Sequence, residues 1–481
     1  MKKKRLFALL LCLCLILQAF PIYTSAEEEM QGETQENVPT GNVTVTNGCK
    51  TIEAMSPLGG TQRRLETAQA AFVYERSTDT VIYSYNPDLK LYPGSLSKIL
   101  TALIGIEKVD LSEKITVSTR SISKLPVGSL TAKLKEGEVV TMEDVLHALI
   151  LTSANDAALI IAEHIGGNEA TFVEMMNQRA RKIGCTNTQF TNCHGLDDIN
   201  QHTTARDMTR ITVEAMKNET FAKIFGTMSY EIPPTNRSEK PRQLASGNHL
   251  MYDLVITKYN DLRVTGGMPS YSSAVAGASI AFTAEDKGLD LVFVIMGANR
   301  TFNDNGNADY YGNFDEAQEL LIYTFGGYKI NQLLYPGLSL HQFKVNDGEC
   351  SVVGAPDVSI NAVLPSDAHM KNLIMKYSVV DGGISAPINK GDKVASVQLW
   401  YGASCIAEVD LFAMSAVRDK DETGVEIFGP TRDDSNIWGL LGIVLLILVG
   451  VFGAYLAYNS YRRAVARARR RKKRASRRRS R

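Results

Sequence analysis

Cysteine is scarce in this sequence and badly placed for cross-linking. Of seven, Cys12 and Cys14 sit inside an N-terminal apolar run. The other five, Cys49, Cys185, Cys193, Cys350 and Cys405, are odd in number and widely spaced. That pattern excludes a disulfide framework and a zinc site. Two pairings stay open: Cys185 with Cys193 across a short loop, and Cys350 with Cys405 if strands bring them together. His147 and His164 fall on helical stretches with no ligand partner at metal spacing, so both read as structural. No metal and no cofactor is expected.

Net charge is lacking too, with 52 basic residues against 52 acidic ones. The balance hides an uneven distribution. Four basic residues, Lys2 to Arg5, open the chain, and thirteen more crowd the stretch from Arg462 to Arg481 without an acidic residue. Set those aside and 35 basic residues face 52 acidic ones. The body is acidic, which argues against nucleic acid as a partner.

Long apolar runs are few. Leu6–Phe20 is short for a membrane span and lies between Lys2–Arg5 and the small-residue sequence Thr24-Ser25-Ala26. Residues 1–26 therefore read as a secretory signal. Ile437–Tyr458 is uncharged and about the length that crosses a bilayer. Trp438 and Tyr458 suit its two interfaces. The basic residues that follow place 459–481 in the cytoplasm, beside anionic lipid. These features predict a single-pass protein of the cell membrane with its body outside.

Between the two runs the chain changes character several times. Residues 27–63 form an acidic, polar spacer. A body from 64 to 334 mixes strands and helices. Ala70–Tyr74 and Thr80–Tyr85 predict a hairpin, and Leu289–Met296 a buried strand paired with Ala276–Phe282 at the edge of a sheet. Apolar periodicity predicts helices at Ser95–Glu107, Thr141–Leu151, Asp156–Ile165, Ala170–Ile183 and Asp315–Phe325. From 335 to 417 short alternating strands predict a separate all-β domain, joined by a linker (418–436) to the apolar span. The fold class is α+β.

One stretch carries chemistry. Pro93-Gly94 breaks the chain before a helical pattern, and Ser95 and Lys98 stand three apart on its first turn, hence on one face. A serine hydroxyl is a poor nucleophile until a base takes its proton, and a lysine held neutral by burial and nearby cations is such a base. Ser121-Ile122-Ser123-Lys124 repeats the spacing but runs into Leu125-Pro126. A second stretch, Ser153-Ala154-Asn155, interrupts two apolar helices. Such a break holds a hydroxyl and an amide at a fixed place, or merely caps the second helix.

Taken together, "YPGSLSKILTALIGIE", "LTSANDAALIIAEHIGG", "TNCHGLDD" and "TTARDMTRI" resemble the serine D-alanyl-D-alanine carboxypeptidases, the low-molecular-weight penicillin-binding proteins. The resemblance spans roughly 64–415 and implies a β-lactamase/transpeptidase-like domain, an antiparallel sheet with helices, followed by the small β domain. It implies Ser95 as acylated nucleophile, Lys98 as its base, Ser153 as proton relay and Asn155 as a binder of the substrate amide. The implied substrate is the peptidoglycan stem peptide, with β-lactams as inhibitors. The family's membrane anchor is often an amphipathic helix, unlike the long span here.

This chain departs from the family in one motif, because it has no Lys-Thr-Gly. Two registers remain for the strand that should carry it. Val264-Thr265-Gly266 keeps Thr-Gly and puts valine for lysine. Met268-Pro269-Ser270 better keeps the distance to Ala276-Gly277 and replaces all three residues. The substrate-binding candidates are therefore Thr265, Gly266, Met268 and Ser270. Either way a cation is missing, and the expected loss is a charge-assisted hydrogen bond of about 1.5–3 kcal/mol to the substrate carboxylate. A lysine also lowers the pKa of a neighbouring lysine, so Lys98 is expected to be more often protonated. Pro269 removes a backbone donor, and Arg263 or Lys258 are the candidates to replace the charge. The competing reading is a weakened or inactive module that binds or senses peptidoglycan.

Overall fold

The structure, a computed structural model, describes residues 64–420 except 124, 127–128, 252–256, 272–276, 303–307 and 380–382, together with Tyr455 and Tyr458. The expected signal, spacer, basic tail, nearly all of the apolar span and most of the 418–436 linker lie outside the described residues. Among the described residues no helix is long and apolar enough to cross a membrane.

Alternating side chains build one antiparallel sheet from β1 (Ala70–Glu75), β2 (Thr80–Tyr85), β3 (Val264–Tyr271), β4 (Ala278–Asp286) and β5 (Leu289–Ala298). Its order is β2-β1-β5-β4-β3. The period of two sorts residues between two cores. Phe72, Met268, Ala281 and Val294 face one, and Val73, Ile280, Phe282 and Phe293 face the other. The strands at 278–298 are not an edge pair as the sequence predicts. β5 lies between β1 and β4, and β4 between β5 and β3. Both are covered on two faces, which is why they read as nearly continuous apolar runs. The edges are β2 and β3, and β3 is the strand that should carry the altered motif.

Five helices of ten residues or more pack on the first face, α1 (Ser97–Lys108), α2 (Met142–Leu151), α3 (Asn155–Gly166), α4 (Glu169–Ile183) and α5 (Ala205–Met216), with the shorter helix Glu219–Phe225 beside them. A sixth, α6 (Gly312–Gly327), covers the second face with Phe314, Leu320, Leu321 and Phe325. α1 is central and is buried from Ser97 through Gly105. Gly105 lets α1 approach closely, since a Cβ there would stand 3.3 Å from Leu146 of α2. α2 starts with a reciprocal cap in which Thr141 Oγ1 accepts from Asp144 N and Asp144 Oδ2 from Thr141 N. α3 stops at Gly167, which adopts φ +69°. Two rigid helix ends thus flank residues 152–154, while Pro93-Gly94 and a 3₁₀ turn (Gly94–Leu96) lead into α1.

The later strands are β6 (Tyr328–Leu334), β7 (His341–Phe343), β8 (Val352–Ala355), β9 (Ile360–Pro365), β10 (Leu373–Val379), β11 (Lys393–Tyr401) and β12 (Ser404–Ala413). They form a sheet of order β7-β8-β12-β11-β10, with β6 paired to β9. β6 precedes the boundary expected at 335. Contact density divides the chain into a larger unit, through Lys344 and then Val352–Ile384 and Asn389–Ala416, and a smaller one. In its described part the smaller unit joins Val345–Ser351, Ser385–Ile388 and residues 417–420 through isolated bridges such as Ile388 to Val417.

Candidate active site

Ser95 sits in the 3₁₀ turn at the mouth of α1, and three polar groups converge on it. Lys98 Nζ donates to Ser95 Oγ at 3.2 Å. Ser153 Oγ donates to the same oxygen at 2.7 Å. Ser95's own N–H donates to Ser270 Oγ at 2.7 Å. Ser95, Lys98 and Ser153, which the sequence puts forward as nucleophile, base and relay, therefore form one continuous chain of hydrogen bonds.

Ser153 reaches Ser95 because its backbone is held in the left-handed region, at φ +55°. For a residue with a Cβ this costs about 1–2 kcal/mol. Strain of this kind persists where the surroundings over-determine it, often at functional sites. Here Ala154 N bonds Ala148 O at 3.3 Å and Asn155 N bonds Leu130 O at 2.8 Å, fixing both sides of the bend. Asn155 is 4% exposed. Its neighbour Asp156 accepts from Ala132 N and Leu134 N, which ties the 130–134 segment beside the site.

Lys98 is fully buried, and burial pulls its pKa down to about 7. Asp156 opposes the shift. Cys193 would oppose it as a thiolate, but burial and Glu169 hold that thiol well above its ordinary pKa. The sequence predicts that the missing lysine leaves Lys98 more often protonated; burial by itself brings its pKa into the range of a usable base. Low dielectric does what the second cation was expected to do.

The 192–195 loop is the part of the site that sequence reasoning missed. Lys98 Nζ also donates to the His194 carbonyl oxygen. His194 Nδ1 accepts from Leu196 N at 3.2 Å, which leaves Nε2 as the protonated nitrogen, 3.4 Å from Glu169 Oε1. Burial, with Lys98 nearby, lowers the His194 pKa to about 4, so the ring stays neutral and serves as a brace. Gly195 adopts φ +82°, and a Cβ there would stand 1.9 Å from Gly94 O and 2.7 Å from Ser97 Oγ. Only the lone Gly after Asn-Cys-His hinted at this close approach; a carbonyl partner leaves no mark in sequence. Gly195→Ala is expected to push the Gly94 turn off α1 and slow acylation by a fluorescent penicillin on the order of a hundredfold. A variant acylated at the native rate would show that the turn can shift without harm.

The structure separates the strand candidates. Ser270 touches Ser95 and is 2% exposed. Met268 is fully buried in the helical core. Thr265 and Gly266 lie at the start of β3, where Thr265 Oγ1 pairs with Thr283 Oγ1 at 2.7 Å and Gly266 abuts Phe225. Neither is brought to Ser95, so of the four strand candidates Ser270 is the one that meets it. The two replacement cations are committed elsewhere. Arg263 pairs with Asp261 at 2.5 Å and stacks over Phe325 of α6. Lys258 Nζ lies 3.8 Å from Asp315 of α6 and over Tyr259. Both are tied to the helix covering the sheet face opposite α1.

The remaining candidates are local. Ser121 Oγ donates to Ser118 O at 2.9 Å, and Lys124 is outside the described residues. His147 stacks on Tyr230 with ring centres 3.7 Å apart, and His164 Nε2 lies 2.8 Å from Glu113 Oε1. No disulfide joins Cys185 to Cys193 or Cys350 to Cys405, so neither open pairing forms. Among the described residues no cluster of three His, Cys, Asp or Glu is arranged to hold a metal. Two cavities, of about 310 and 420 Å³, are lined by residues such as Phe72 and Arg210, and Tyr92 and His202. Neither contains Ser95; the site is assigned on convergence of groups, not on volume.

Comparison with known proteins agrees with this geometry. The family model described as D-alanyl-D-alanine carboxypeptidase matches residues 60–300. The chain belongs to the D-alanyl-D-alanine carboxypeptidase family. Membership makes it a serine-type peptidase of the class that processes peptidoglycan. A second family model, the C-terminal domain of penicillin-binding protein 5, matches residues 333–419 and so covers the β domain. Carboxypeptidase relatives include DacF of Bacillus subtilis, 27% identical over 71% of this chain and 83% of that protein. DacC of Escherichia coli is 26% identical over 73% and 84%. The solved penicillin binding protein 5 of Haemophilus influenzae superposes with a TM-score of 0.58 at 25% identity, covering 75% of this chain and 100% of that one.

Proposed function

We propose that this carboxypeptidase-family protein removes the terminal D-alanine from peptidoglycan stem pentapeptides through an acyl-enzyme on Ser95. One observation carries the reading: Ser95 Oγ lies between Ser153 Oγ at 2.7 Å and a buried Lys98 Nζ at 3.2 Å whose pKa is near 7. The neutral Lys98 amine takes the Ser95 proton. Ser95 Oγ then attacks the carbonyl carbon of the penultimate D-alanine. The oxygen made negative lies near the Ser95 N–H, at the positive end of α1. Ser153 passes a proton to the departing D-alanine amine, and Asn155 orients the peptide. Water, activated by the same amine, hydrolyses the ester. A β-lactam forms the same ester but keeps its leaving group tethered.

The place of action follows from the terminal patterns. Residues 1–26 would export the chain, 437–458 would span the membrane, and the basic 459–481 tail would sit at anionic lipid inside. Without the Lys-Thr-Gly lysine the substrate carboxylate is more weakly held, so the reading includes a raised KM. The test is release of D-alanine from a stem pentapeptide by the purified protein, with the tetrapeptide as the other product. Tight binding of pentapeptide with no D-alanine released would replace this reading with a peptidoglycan-binding role.

A further inference from the structure

We propose that Ser270 is a resident occupant of the oxyanion site, a gate that a substrate carbonyl must displace before Ser95 can be acylated. The proposal rests on the reading of Ser95 as nucleophile.

The Ser95 N–H is the donor nearest to the oxygen that turns negative when Ser95 Oγ attacks a carbonyl. It belongs to the first turn leading into α1, where backbone N–H groups have no helical partner. Gly94 at φ +51° turns the chain there, and the next N–H, of Leu96, is already bonded to Pro93 O at 3.2 Å. The Ser95 N–H is instead given to the Ser270 hydroxyl at 2.7 Å. One hydrogen cannot serve two acceptors at full strength.

Ser270 is held in that position rather than loosely placed. It is 2% exposed, and it follows fully buried Met268 and buried Pro269 on β3. The β3–β4 register sets it opposite Ser279, itself buried, on the face that looks toward α1. Pro269 has a fixed φ, which limits how far the strand can swing to withdraw the hydroxyl.

The consequence falls unequally on binding and on chemistry. A substrate carbonyl oxygen is neutral, like the hydroxyl it replaces, so the exchange gains little in the ground state. The developing oxyanion is charged and accepts a stronger hydrogen bond, so once the carbonyl has taken the N–H on binding the hydroxyl no longer competes for it during the chemical step. The gate therefore raises the apparent binding constant for a substrate or β-lactam more than it lowers the acylation rate constant. After acylation the hydroxyl can take back the N–H, leaving the ester carbonyl without its donor and the adduct long-lived.

The experiment compares the native protein with Ser270→Ala and Ser270→Thr, each checked for an unchanged melting temperature. Two readouts are used. The first is hydrogen exchange of the Ser95 amide, which does not depend on activity. The second is acylation by benzylpenicillin, resolved into a binding constant and a rate constant. Ser270→Ala is expected to exchange the Ser95 amide about tenfold faster and to tighten the binding constant about fivefold, with the rate constant within about twofold. Ser270→Thr keeps the hydroxyl and is expected to retain the slow exchange of the Ser95 amide. Slower acylation of Ser270→Ala than of native protein would overturn the gate and make the hydroxyl a donor to substrate. Unchanged exchange in Ser270→Ala would overturn it by denying the contact. If native protein and both variants are folded but none is acylated, the reading of Ser95 as nucleophile fails, and the gate fails with it.

Discussion

Ser95→Ala is expected to reduce labelling by a fluorescent penicillin to the level of heat-denatured protein. The loss is expected to be at least a thousandfold, because removing a serine nucleophile removes the covalent route and not one contribution to it. The fold is expected to survive. The substitution deletes one hydroxyl that bonds Ser153 and Lys98, while Lys98 keeps the His194 carbonyl as a partner. The arrangement also supplies a demanding control. Three hydroxyls, Ser95, Ser153 and Ser270, crowd the same few ångströms, since Ser95 bonds both others at 2.7 Å. Peptide mapping of the labelled native protein must find the adduct on Ser95. Label on Ser153 or Ser270, or residual label in Ser95→Ala above background, would assign the nucleophile to another hydroxyl and reverse the roles drawn here.

The parts of this site that lay close together in sequence were legible, and the parts that meet only in space were not. Ser95 and Lys98 are three apart on a helix, so local periodicity is enough to pair them. Ser153 and Asn155 stand out as a polar break between two apolar helices. The strand opposite them has no such local signature once Lys-Thr-Gly is gone. Thr265-Gly266 copies part of the motif, but Gly266 sits against Phe225, four residues of extended chain before Ser270 makes the contact with Ser95. The edge position of β3 was missed for a related reason. A strand covered on both faces and an edge strand differ in their partners, and β4 and β5 carry the apolar runs whether or not another strand lies beyond them. Burial is among the ways of holding Lys98 neutral that the sequence suggests, but its extent was not legible there. Burial comes from the whole helical core closing over α1, from Ile99 and Leu100 to Phe172 and Met176. No short window of sequence contains that sum.

Lys98→Met is expected to slow acylation about 10²–10⁴-fold, the usual contribution of a positioned general base, while leaving the protein folded. Methionine is long, unbranched and apolar, so it suits a site that is fully buried. The native enzyme carries a pH signature that the variant is expected to lack. Lys98 is a base only when neutral, and its pKa is about 7, so the acylation rate should rise as pH rises through about 7 and then level off. Stability should move in the same direction over a higher window. A lysine whose ordinary value is 10.5 and whose folded value is about 7 is protonated in the unfolded chain and not in the folded one between those limits. The unfolded state then binds more protons, so resistance to urea should increase from about pH 7 toward 10.5 through this residue. Below about 7 both states are protonated, and the cost of the buried charge is present in full. Lys98→Met removes the titration, and the difference between native and variant urea midpoints should change with pH across that window. An acylation rate flat between about pH 5.5 and 8.5, with Lys98→Met equally flat and nearly as fast, would remove Lys98 from the role of base. The Ser95 proton would then have to leave by way of Ser153, whose hydroxyl is the other group within reach of the nucleophile.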